Sequence, residues 1–63
     1  MTIVATNKDK LACAEREIKM RERVYPRFID AGKMSAGKAA LEIAVMKAIA
    51  DDYRQAVEKE RLI

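Results

Sequence analysis

Six residues, DAGKMS at 30–35, separate two segments whose apolar residues both recur at helical spacing. Gly32 lacks a Cβ and suits the left-handed position just past a helix end. Ser35 suits the cap of a following helix, with Met34 before it placed for a weak staple to Ala39. The connection is three or four residues, short enough to force the two helices antiparallel. The expected fold class is all-α: an antiparallel two-helix hairpin in a single domain over residues 1–63.

In the first segment Thr6 or Asn7 offers an N-cap, and Asp9 falls in the first turn, where the helix dipole favours a carboxylate. Leu11, Ala14, Ile18, Tyr25 and Phe28 follow at spacings of 3, 4, 7 and 3, with Arg21 in the missing position. Helix 1 is expected over about 7–31, the turn over about 32–35 and helix 2 over about 36–60. Residues 1–5 carry Ile3 and Val4 without any period and read as a flexible arm.

Helix 2 constrains the assembly. Ala39, Ile43, Met46, Ala50, Tyr53 and Val57 make one stripe, spaced 4, 3, 4, 3 and 4. Leu41, Val45, Ile49 and Ala56 lie beside it at about 100° per residue. The combined arc is wider than one facing helix covers. Half of it packs within the chain, and the economical cover for the rest is a second copy, giving a homodimeric four-helix bundle with two-fold symmetry. Ile18, Leu41, Val45, Ile49 and Tyr53 are the expected core and dimer residues.

Size points the same way. A chain of 63 residues buries only roughly 60% of its extended surface and is marginal alone. The lone Cys13 closes no internal disulfide, and the absence of His removes the commonest metal ligand and general base. No calcium-loop pattern is present, so no metal or cofactor is expected, and a partner chain is the remaining staple. The composition is 51% hydrophobic, 5% aromatic and 37% charged, the balance of a helical bundle rather than of a disordered chain or a sheet. Neither a transmembrane run nor a signal-peptide apolar region is seen, and one unpaired Cys fits a reducing compartment. The expected location is the cytoplasm.

Three charges fall on the apolar arcs: Glu17 and Arg21 on helix 1, Glu42 on helix 2. Glu four residues before Arg is the favourable order, and closure at the turn brings Arg21 near the level of Glu42 and Val45. The expected arrangement is an interhelical ion-pair cluster; a polar grip inside a binding groove is the alternative. Arg beside a carboxylate lowers its pKa, which does not suit a general acid. Arg16, Lys19, Arg23 and Arg27 form an outward basic face. Residues 1–33 carry eight basic and five acidic residues, against five of each over residues 34–63. This face reads as a solvated surface, a phosphate contact or a contact for an acidic protein. Cys13, at the margin of the stripe near Met20 and Val24, reads as a small core or interface residue, and Met20, Met34 and Met46 as core filler or adaptable partner surface. No acid–base pair is apparent, so an enzyme is not expected.

RVYPRFIDAGKMS, residues 23–35, concentrates the only Pro, the only Phe and one Tyr. Pro26 removes the amide that would bond the Glu22 carbonyl, and it disfavours helical geometry at Tyr25. A kink or break is expected there. Tyr25, Phe28 and Ile29 then either close the core against Met34, Ala39 and Leu41 or, beside Arg23 and Arg27, form an exposed anchor.

The segment over residues 15–53 resembles small uncharacterised proteins of phage and prophage genomes. Their pattern is a basic R-E-x-x-M-R-x-x-V-Y-P stretch, a G-K-M-[ST] turn, then E-I-x-x-M-x-A-I. Glu17, Met20, Arg21, Val24, Tyr25, Pro26, Gly32, Lys33, Met34, Ser35, Glu42, Ile43, Met46, Ala48 and Ile49 carry the match. In size and hairpin form the chain is also similar to early proteins of Mu-like Pseudomonas phages. Some of those inhibit host proteins, among them a quorum-sensing regulator and a pilus-assembly ATPase. The resemblance implies a phage-encoded, non-enzymatic protein that binds a host protein; the composition of the tip, not the resemblance, makes Arg23, Tyr25, Arg27 and Phe28 the expected contact residues. The alternative is a nucleic-acid-binding dimer using Arg16, Lys19, Arg23 and Arg27.

Overall fold

The computed structural model describes residues 2–62; Met1 of the expected arm lies outside them. Two helices, α1 (Asn7–Asp30) and α2 (Ala36–Arg61), pack antiparallel, with no strand among the described residues. Residues 2–5 have no regular structure, and Ile3 and Val4 are exposed.

Local chemistry sets each helix end. Thr6 caps α1 through a capping box: its hydroxyl accepts from the Asp9 amide at 3.1 Å, and its own amide donates to Asp9 at 3.1 Å. The Thr6 amide, and secondly the Thr6 hydroxyl, hold the Asp9 carboxyl below its ordinary value of 3.8. At the other end Gly32 has φ +71°, its amide donating to the Ile29 carbonyl and that of Lys33 to the Phe28 carbonyl. This 6→1 and 5→2 pair is a Schellman stop. Ser35 opens α2 by accepting from the Lys38 amide at 3.1 Å.

Pro26 lies inside α1, which runs unbroken to Asp30. The expected break near Val24 is therefore absent. The ring removes one backbone bond, while the capping box, the Schellman stop and packing on α2 hold the helix on both sides of it.

Very little is buried. Among the described residues the fully enclosed apolar side chains are Ala14, Ala39 and Ala50. Small residues let the two helices approach closely, which pushes every larger side chain to the margins. Ile18 and Tyr53 are half-buried, whereas Leu41, Val45 and Ile49 are exposed by 56, 46 and 39%. These three are thus not core within the chain. The fold is a slab one helix thick, with Cα extents of 47 × 29 × 14 Å. Its radius of gyration is 14.7 Å, against roughly 11 Å for a compact domain of this length. It exposes 5086 Å², about 1,000 Å² more than a compact monomer of its mass, part of it from residues 2–5.

Two substitutions at the turn end of α1 have opposite expected signs. Gly32→Ala costs about 1–2 kcal/mol from the left-handed backbone alone, because an added Cβ meets nothing within 4 Å. Pro26→Ala gains about 2 kcal/mol by restoring the helical bond to Glu22. Urea denaturation followed by circular dichroism measures both.

Candidate interaction surfaces

Antiparallel packing pairs positions equidistant from the turn, and this sorts the charges onto one side. Glu22 meets Lys47 at 3.6 Å and Glu15 meets Arg54 at 4.0 Å. Lys19, Asp51, Ile18 and Ala50 complete the shallow groove between them. Arg54 also bonds Asp51 along α2. These pairs are half-exposed and each contributes a few tenths of a kcal/mol, so this side is polar and self-satisfied.

The opposite side is apolar. Cys13 and Ala14 of α1 and Met46, Ile49 and Tyr53 of α2 line an open groove bordered by Ala5, Asp9, Lys10 and Glu17. Lys10 Nζ lies 5.4 Å from the centre of the Tyr53 ring, within cation–π range. Val45 and Leu41 continue the exposed apolar row of Ile49 along α2 towards the turn. Cys13 is exposed beside this row.

Between groove and tip, the structure brings Glu17, Arg21 and Glu42 together. Arg21 Nε donates to Glu17 Oε1 at 2.9 Å, and Nη1 donates to the Glu42 backbone carbonyl at 2.8 Å, with Glu42 Oε2 at 3.6 Å. Lys38 Nζ adds a further contact to Glu42 Oε1 at 3.1 Å. The bond to Glu17 holds the guanidinium still more firmly in its charged form. Its carbon also lies 5.9 Å from the Tyr25 ring centre. One half-buried arginine therefore bonds α1, the backbone and side chain of α2, and an aromatic face. It locks the register of the hairpin.

At the tip, Tyr25 is half-buried under Arg21 and Phe28 is exposed by 39%, their ring centres 6.3 Å apart. The aromatic pair is thus divided: Tyr25 packs against its own chain and Phe28 offers its ring to solvent. Arg16, Lys19, Arg23 and Arg27 are all exposed and form no ion pair among the described residues. The structure does not gather them at one point. Lys19 borders the charged groove, while Arg23 and Arg27 lie towards the tip.

Sequence reasoning missed the Glu22–Lys47 and Glu15–Arg54 pairs and the groove around Cys13. The signal for the pairs was present, since each joins positions at similar distances from the turn, within about one helical turn. No group of His, Cys, Asp and Glu among the described residues is arranged to hold a metal ion, and no helix is long and apolar enough to cross a membrane. Comparison with protein-family models, curated proteins and solved structures finds no match.

Replacing Arg21 by Ala leaves Glu17 without its partner, Glu42 with Lys38 alone, and the two helices without their shared bond, at an expected cost of about 1–2 kcal/mol. Arg21→Lys recovers less than half of that, because an ammonium has no fork to span Glu17 and the Glu42 backbone. Denaturation midpoints of the two variants give the comparison.

Proposed function

We propose that this chain is a non-enzymatic protein-binding module that works as a homodimer in the cytoplasm. The observation that carries the reading is the burial pattern: alanines are enclosed, while Leu41, Val45 and Ile49 stand in an exposed row. Isolated exposed apolar residues are ordinary, but a contiguous row on a slab with so small a core marks an association surface. Stacking a second hairpin on it completes a four-helix bundle. The excess exposed surface is comparable to the roughly 800 Å² per partner of a standard interface.

The tip supplies the second contact. Phe28 with Arg27 and Arg23 combines an apolar ring with unpaired guanidinium groups, a composition favoured where binding energy concentrates. Tyr25 braces the ring from behind. The resemblance of residues 15–53 to small phage and prophage proteins leads us to take a host protein, such as a transcription regulator or a motility or defence component, as the target. The protein then acts by covering that target's working surface.

The unpaired cations Arg16, Lys19, Arg23 and Arg27 favour one second reading, a dimer that contacts nucleic-acid phosphates along α1. Binding of that kind weakens steeply with salt.

Sedimentation equilibrium is expected to give a dimer at micromolar concentration. A folded monomer there sinks the assembly reading. Phe28→Ala with Arg27→Glu is expected to keep both helicity and dimer while losing a host partner recovered by the unaltered protein. Unfolding of this double variant would instead assign Phe28 to the core. A filter-binding titration with duplex DNA at low and high salt decides the second reading, the expected result being no salt-sensitive retention.

A further inference from the structure

The exposed row on α2 is symmetric about Val45 in its chemistry. Leu41 lies four residues before Val45 and Ile49 four after it. Lys38 lies seven before and Asp52 seven after, and two helical turns return a side chain to nearly the same face. All five are exposed. Asp52 makes no ion pair among the described residues, and Lys38 has only the Glu42 contact within its own chain.

From this symmetry we infer that the second copy lies antiparallel, α2 against α2, with the two-fold axis passing at Val45. The inference rests on the homodimer reading above and adds its direction and register. In that arrangement Val45 meets its own counterpart, and Leu41 meets Ile49 of the other copy on either side. Lys38 then faces the other copy's Asp52 at both ends, giving that carboxylate a cation and placing each Lys38 between two acids. A parallel pair in register would instead set Lys38 against Lys38 and Asp52 against Asp52, and would place the two helix dipoles side by side with like ends together. Ala44 and Ala48 flank Val45 and leave room for the axes to close on each other. The like-charged ends and the dipoles thus disfavour the parallel alternative, while the apolar centre tolerates both directions.

Engineered cysteines in a Cys13→Ala background read the register. A disulfide needs Cα atoms closer than about 7 Å. At the axis, Val45→Cys is expected to cross-link to its own copy under mild oxidation. Leu41→Cys and Ile49→Cys are each expected to stay reduced alone, since their like positions are separated by about 12 Å along the helix. Mixed in equal amounts, those two variants are expected to cross-link to one another. Self-linking at all three positions means a parallel pair and overturns the inference. A dimer in sedimentation with no cross-link at Val45 means a different face and also overturns it. A monomer in sedimentation overturns the homodimer reading itself, so the two failures are distinct.

Charge exchange gives an independent measurement. Lys38→Glu and Asp52→Lys are each expected to weaken the dimer about tenfold, counting both symmetric ends, and the double variant to recover most of the loss. The two positions lie about 21 Å apart on one helix, so recovery requires contact between copies. Single variants that weaken nothing, or a double variant no tighter than the singles, would count against the register.

Discussion

Two antiparallel helices share a single line of contact, and in this chain alanines occupy it. That constraint organises the rest. Ala14, Ala39 and Ala50 are the enclosed residues where the helices pack. The isoleucines, valines, methionines and aromatics are displaced to the margins of the seam. A hairpin built this way has a well-defined register and a poor core. Its apolar residues surface mainly on one side, because the other side is filled by Glu15, Glu22, Lys47 and Arg54.

Arg21 supplies the register that alanines cannot. Small side chains slide past each other with little penalty, so a seam lined with them needs a directional bond. The guanidinium bonds Glu17 along α1 and the Glu42 carbonyl across to α2, anchoring one helix to the backbone of the other. Bonding a main-chain oxygen matters, because that atom cannot rotate away as a carboxylate can. The ion cluster is therefore a positioning device first, and its contribution to net stability is modest.

Much of the fold was legible in the sequence because its signals are local. Thr6, Gly32 and Ser35 act through bonds to residues within a few positions, and the helix bounds fall within one residue of those expected. The Arg21 cluster was legible for a related reason: once the turn is placed, the distance from it gives the level on the partner helix. At Pro26, of the kink or break that its local preference predicts, the break does not occur, because the proline sits in a helix anchored on both sides. The exposure of Leu41, Val45 and Ile49 was read as a missing partner from the width of the arc alone. The division between Tyr25 and Phe28 was not legible. They are three residues apart, and which ring is covered depends on where Arg21 places its side chain.

The bond from Asn7 Nδ2 to Glu60 Oε1, at 2.7 Å across 53 residues of sequence, joins the two helix ends farthest from the turn. It makes the hairpin a closed frame rather than a pair of tongs. Because both open ends meet there, a cargo or surface tether attached beside Asn7 or beside Glu60 hangs from the same place. Either attachment leaves the Phe28 tip about 32 Å away along α1, and the molecule has in effect a handle and a working end.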